Sequence, residues 1–284
     1  MQSTPTLATR FARNTRVIRS DTPLAEDQMR IAAPSIFATG KHQSRSDRYA
    51  YIPTIEVLRG LRKEGFEPFM VAQSRSRIAG KTEYTKHLVR MRHAGLTHGR
   101  TEANEIILIN SHDGASSYQM LGGVIKFLCC NGLVCGTVSN DIRVPHKGSN
   151  VLDEVIEGAF RVLDDFEAVD ASIDGMKSLA LNGDEERAFA TAALAVRYGD
   201  RGNGQPPAPI TAEQLIEARR PEDRDRSIWT VMNRAQENIQ RGGQHGRTVH
   251  GRRMQTRPIT SIDRSVSLNR ALWVLAEEMR KLKS

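Results

Sequence analysis

Apolar positions along the chain change their period twice. Between residues 53 and 64, Ile55, Leu58 and Leu61 recur at helical spacing, Pro53 opens the segment and Gly65 closes it. From residue 66 the pattern alternates instead. Phe66, Pro68, Met70 and Ala72 interleave with Glu67, Phe69, Val71 and Gln73, and neither set is clearly polar, which predicts a strand over 66–76 covered on both faces. Residues 85–93 alternate more cleanly, with His87, Val89, Met91 and His93 on one side and Lys86, Leu88, Arg90 and Arg92 on the other. Segments 105–109 and 116–120 flank a turn at 110–115, where Asp113-Gly114 favours a hairpin. Residues 122–128 fit either helix or strand, Asn131-Gly132 signals a turn, and 133–138 fit a strand.

The helical period then returns. Residues 153–166 carry Val155, Ala159, Val162, Leu163 and Phe166 on one face, and helices are predicted over 172–181 and 184–197. The string GDRGNGQPPAP marks a linker at 199–210. Beyond it, helices are predicted from 211 to 218, from 227 to 241 and from 261 to 283, with a basic loop at 242–259. Near the start, residues 1–20 read as a flexible basic arm, and Thr22-Pro23 opens a helix to residue 37. The fold class is therefore α+β: an antiparallel twisted sheet with helices on one face, plus a C-terminal helical region. The predicted organisation is an arm (1–20), a core domain (21–198), a linker (199–210) and a helical part (211–284) bearing a basic loop at 241–257.

Charge changes this picture. Net charge is +8 over 284 residues, which favours a polyanionic partner. Residues 1–145 hold 20 basic against 12 acidic side chains, whereas 146–186 hold 3 against 11. The acidic middle is expected to be a solvated helix pair, a face that keeps polyanions away, or a surface for the basic face of a neighbouring subunit. Aromatics make up only 5%, so base stacking cannot be the general binding mode. Cys129, Cys130 and Cys135 lie in an apolar run, an odd count that predicts buried small side chains in a reducing cytoplasm rather than disulfides. No secretory signal and no membrane span are recognisable.

Two basic constellations are candidates for a phosphate backbone. The first is Arg75, Arg77, Lys81, Lys86, Arg90 and Arg92, on or beside the predicted strands. The second runs from Arg241 through Arg247, Arg252 and Arg253 to Arg257, five arginines without an acid. Phosphate tracking needs several cations on one surface, arginine adds bidentate contacts, and the glycines between them are expected to let main-chain amides approach phosphate. Ser111-His112-Asp113 spells a triad in a row, but neighbours on an extended chain face opposite ways, so a turn held by side-chain-to-backbone bonds is expected there. No nucleotide-binding fingerprint, catalytic set or metal-ligand spacing is present, and no cofactor is expected.

These residues resemble a known family. The strings TKHLVRMRH (85–93), NSHDGASSYQM (110–120), CNGLVCG (130–136), VPHKG (144–148) and NRALWVLAEEM (269–279) are similar to the domain-of-unknown-function family 932, over about 20–284. That resemblance implies a role on prophages, plasmids or other mobile elements and a cytoplasmic location. In element order and charge only, the chain is also similar to single-strand annealing proteins of the RecT and Red-beta kind, which implies rings or filaments on single-stranded DNA. The resulting expectation is ATP-independent single-stranded DNA binding and strand annealing or recombination, by a homo-oligomer without membrane contact. Two other readings compete with it: an antagonist of host defence acting by protein binding, and a metal-dependent enzyme using His112 and Asp113.

Overall fold

The structure is a computed structural model that describes residues 15–44, 51–76, 78, 80–93, 102–126, 131–135, 141–146, 150–199 and 208–284. Arg77, Cys129, Cys130 and most of the expected linker lie outside them. Contacts divide the chain into two compact units. The first is Met1–Phe166 with Thr260–Ile262, and the second is Glu167–Ile259 with Asp263–Ser284. The division falls at residue 166 rather than at the Pro/Gly stretch, because the helices after 166 pack with the C-terminal ones.

The first unit is built on an antiparallel sheet. Its strands are β1 (Thr15–Arg19), β2 (Phe66–Ser74), β3 (His87–His93), β4 (Glu102–Asn110), β5 (Tyr118–Lys126), β6 (Asn131–Val134) and β7 (Ile142–Val144). Their order is β1-β2-β3-β4-β5-β6, and β7 also pairs with β5. Part of the expected flexible arm is therefore a strand: Thr15–Arg19 pairs with β2, Val17 opposite Ala72. Asn131 and Gly132 sit within β6 rather than in a turn, paired with Lys126 and Ile125.

Helices α1 (Glu26–Ala32), α2 (Thr54–Lys63) and α3 (Val151–Asp164) cover one face of this sheet. Pro53 caps α2 in extended conformation, and Arg62 and Lys63 fall in its last turn, where they favour the negative end of the helix dipole. Val57, Leu58 and Leu61 of α2 and Val155, Ala159 and Val162 of α3 meet Val89, Met91, Ile106 and Leu108 of the sheet. Cutting Leu58 to alanine in such a core costs about 2–5 kcal/mol. α1 starts at Glu26, four residues after Thr22, because Leu24 first hydrogen-bonds to the Pro68 carbonyl at 2.7 Å.

The opposite face of the sheet is also buried. Ile107 is fully covered, Ile109 is 2% exposed and Val134 is 1% exposed. Cys135, just after β6, is buried, as its apolar run predicts. The sheet curls closely enough that the Arg90 guanidinium lies against Gly132, and any Cβ there would collide with it.

The second unit is mainly helical: α4 (Phe166–Ser178), α5 (Gly183–Tyr198), α6 (Ala212–Leu215), α7 (Ile228–Arg241) and α8 (Ile262–Lys283). Asn182 caps α5, its side chain accepting from the amides of Asp184 and Glu185, both at 3.0 Å. The periodicity of α7 predicts an amphipathic helix, yet it is buried on nearly every side. Its polar residues find partners rather than water: Glu237 with Arg220 and Arg241, Gln236 with Asn269, and Gln240 with Ser265. Trp229 and Trp273 are core residues, as their helical positions predict.

The segment expected to be a basic loop is a β-hairpin. β8 (His245–Arg247) pairs antiparallel with β9 (Arg253–Gln255). Its strands are three residues each and almost wholly polar, so no hydrophobic alternation announces them.

Candidate nucleic-acid interface

The two basic constellations meet opposite fates. On β3 the predicted alternation holds: Val89 and Met91 enter the helix-covered core, and Arg90 and Arg92 share the other face. That face is not a track for phosphates. Arg90 and Arg92 are each 6% exposed, and both are bound to the fully buried side chain of Glu105. Arg90 Nη1 donates to Glu105 Oε2 at 2.8 Å and Arg92 Nε to Oε1 at 2.9 Å. Arg90 also donates to the Leu133 carbonyl at 3.3 Å, and Arg92 stacks on Phe69 at 4.1 Å. One carboxylate thus serves two guanidiniums in the interior. The expectation that these two arginines face a ligand is corrected by this pairing. The signal for it in the sequence is Glu105, an acid at the head of the apolar run 105–109.

The remaining described cations of that group differ in exposure. Arg75 is exposed just beyond β2, Lys86 is half-buried, and Lys81 is half-buried and paired with Asp113 Oδ2 at 3.1 Å.

Ser111 and Asp113 hold a turn by side-chain-to-backbone bonds, as expected, and the Ser111 side chain also bonds the Asp113 carboxylate. Ser111 Oγ accepts from the Ser116 amide at 2.8 Å, and Asp113 Oδ1 accepts from the Ala115 amide at 3.0 Å. Burial pushes the Asp113 carboxyl up, but the Ala115 amide and Lys81 outweigh it and leave it below its ordinary value. His112 points the other way, into a buried polar network on the core face of the sheet. There Ser35 gives its hydroxyl proton to Gln73 Oε1 at 2.9 Å, so it accepts from His87 Nδ1 at 2.8 Å. His87 Nε2 then accepts from Thr54 Oγ1 at 2.9 Å. Thr54 Oγ1 in turn accepts from Asn110 Nδ2 at 3.0 Å and from His112 Nε2 at 3.2 Å. His146 bonds Asn110 Oδ1 at 2.8 Å. Desolvation, with His112 nearby, holds His87 well below its ordinary value, and desolvation with His146 nearby takes His112 to about 4. His87 and His112 are neutral histidines tying helix to sheet. Among the described residues no group of three His, Cys, Asp or Glu side chains is arranged to hold a metal.

In the second unit the picture reverses. Arg241, Arg247, Arg252, Arg253 and Arg257 are all exposed. Arg241 is paired with Glu237 at 3.1 Å. In the hairpin Arg247 stands directly opposite Arg253, and His245 directly opposite Gln255. Directly opposed residues of an antiparallel pair share a face, so His245, Arg247, Arg253 and Gln255 form one exposed surface. Gly246 and Met254, on the other face, seat the hairpin. Arg247 N donates to the Pro209 carbonyl at 2.8 Å. Gly246 has no room for a side chain, because a Cβ would run into that same carbonyl. The glycine expected to bring main chain close to phosphate thus brings it close to Pro209. Arg219 fixes the base of the hairpin, donating to the Gly242 carbonyl at 3.1 Å.

Directly opposed like charges destabilise a strand pair, by roughly 0.2–1 kcal/mol. Among the described residues neither Arg252 nor Arg253 has a carboxylate partner, and the Arg247 guanidinium donates to the Gly251 carbonyl at 3.1 Å rather than to a carboxylate. The hairpin therefore holds a concentrated positive charge that the described part of the fold leaves uncompensated.

Sequence comparison agrees with the resemblance drawn from the motifs. The profile of the family described as domain of unknown function DUF932 matches residues 41–273. The chain belongs to the DUF932 family. It is 46% identical over 273 residues to UPF0380 protein YafZ of Escherichia coli (strain K12), covering 96% of this chain and 97% of that one. UPF0380 protein YfjQ of the same organism is likewise 46% identical, over the same shares. No solved structure matches the chain. The DUF932 match spans β2 to β9 and much of α8, so it includes both the Glu105 pairing and the arginine hairpin. Among the described residues no helix is long and apolar enough to cross a membrane.

Proposed function

We propose that this protein binds single-stranded DNA without ATP, using the exposed face of the β8–β9 hairpin. The observation that carries the reading is Arg247 directly opposite Arg253, exposed, with no carboxylate from residue 241 to 257. A phosphate backbone laid along the ribbon relieves the repulsion between the two guanidiniums and accepts bidentate bonds from both. Counterion release then supplies the affinity. Arg252 and Arg257 extend the positive surface, and Arg90 and Arg92 play no part in it. The wider role we infer is strand pairing by an oligomer, suggested by the order-and-charge likeness to annealing proteins alone, with a mobile element as the setting implied by the family resemblance. The test is filter binding of a labelled single strand to the full chain at low salt, where the electrostatic contribution is largest. Retention that weakens as salt rises supports the reading; no retention at low salt ends it.

A further inference from the structure

Beside the arginine face lies a cleft of about 930 Å³, within the size range of ligand sites. Its walls are Thr191 and Leu194 of α5, the segment from Ala208 to Ala212, and the flank of the hairpin. The surface is mostly apolar, supplied by Leu194, Pro209, Ile210, Val249 and Met254. Hydroxyl and amide groups of Thr191, Thr211 and Gln214 are spaced among these side chains. Among the described residues the cations lining it are Arg247 and Arg253, and no carboxylate lines it. Val249, at the hairpin tip, leaves 46% of its surface exposed.

We infer that this cleft receives the unstacked bases of a single strand whose phosphates lie on the arginine face. The proposal rests on the DNA-binding reading above and adds a base-binding subsite to it. Its chemistry follows from the occupant. A base offers flat apolar faces and a polar edge, and the cleft offers aliphatic walls with a few donors and acceptors. A strand's phosphates lie at the edge of its bases, and here the two opposed arginines stand where the cleft meets the hairpin. Among the described residues His245 supplies the one aromatic ring at the cleft, so aliphatic packing and the planes of the two guanidiniums do most of what aromatic stacking does elsewhere. Bases in a duplex are stacked and paired and cannot enter, so the site distinguishes single from double strands.

The test compares three probes of equal length by fluorescence anisotropy with the full chain: an oligothymidylate, the same strand without bases, and a duplex. Two variants are measured beside the unaltered protein. Thr191→Trp fills the cleft from an exposed helix position without changing charge, and the double variant Arg247→Ala/Arg253→Ala removes the opposed cations. The unaltered protein is expected to hold the base-bearing strand about tenfold more tightly than the base-free strand. Thr191→Trp is expected to abolish that preference while leaving affinity for the base-free strand unchanged. The double arginine variant is expected to weaken all three probes. Equal affinity for base-bearing and base-free strands overturns the subsite and leaves the DNA-binding reading standing. An unchanged preference in Thr191→Trp also overturns it. If thymidine monophosphate fails to compete at millimolar concentration while oligothymidylate does, a strand is the occupant. Competition by the monophosphate at micromolar concentration assigns the cleft to a free nucleotide and overturns the proposal. No binding of any probe at low salt overturns both readings together.

Discussion

Two pairs of arginines sit on antiparallel strands in this molecule, and their neighbours give them opposite roles. On β3, Arg90 and Arg92 flank Glu105 of the adjacent strand, and all three side chains are buried. On the β8–β9 hairpin, Arg247 faces Arg253 across the ribbon and both are exposed. A cation on a strand face is an internal brace when the next strand supplies a carboxylate, and an exposed charge when it supplies another cation. Counting basic residues does not separate the two cases; cross-strand register does.

The contrast breaks most visibly at Glu105. Glu105→Gln keeps the shape of the side chain but leaves two guanidiniums buried without their counter-charge. Such a change costs about 3–5 kcal/mol, read by urea denaturation followed through the sheet's hydrogen exchange. A loss below about 1 kcal/mol, the worth of an exposed pair, would show that the brace is dispensable.

Acid separates the two regions next. The folded protein holds His112 at about 4, against an ordinary value of 6.5, and pushes His87 down too. Well above pH 6.5 neither state binds a proton there. As pH falls below 6.5 the unfolded chain takes up the proton and the folded chain does not, so the first unit loses stability down to about pH 4. His112 alone accounts for about 3 kcal/mol over that window. Replacing His112 by glutamine should flatten the pH dependence of the melting temperature; an unchanged slope would remove the buried network from the explanation.

The hairpin's geometry is tested by Gly246→Ala. The added methyl must displace the Pro209 carbonyl, at a cost of about 1–3 kcal/mol to the second unit. DNA affinity should fall although the charge is unchanged. Retained affinity would mean that the arginines work without the ribbon's seating on Pro209.

The smallest stability effect belongs to the opposed arginines. Arg247→Ala/Arg253→Ala should leave the melting temperature unchanged or slightly raised, since removing like charges relieves roughly 0.2–1 kcal/mol. A marked drop in thermal stability would make them structural instead.

Much of the fold was legible in the sequence for a physical reason. Strands β2 to β6 and helices α2, α3, α5, α7 and α8 bury an apolar stripe, and such stripes repeat with the period of the backbone. The elements that were not legible lack that stripe. β1 and β7 are short edge segments, and β8 and β9 are nearly all polar, so only tertiary features such as the Pro209 seat reveal them. Charge alone marks the arginine hairpin in the sequence, without its conformation. The burial of Arg90 and Arg92 is hidden because it depends on Glu105, thirteen residues beyond Arg92, whose place opposite them is a matter of register. The buried polar network is hidden for the same reason: Ser35, Thr54, His87, Asn110 and His146 are far apart in sequence and meet only through the fold.

The most direct test measures single-strand affinity against salt for the unaltered protein and for Arg247→Ala/Arg253→Ala. If the hairpin pair binds phosphate, the double substitution should lower affinity and reduce the log–log salt slope by about 1.4, roughly 0.7 for each phosphate that is no longer neutralised. An unchanged affinity and slope would contradict the hairpin's role as the DNA-binding face.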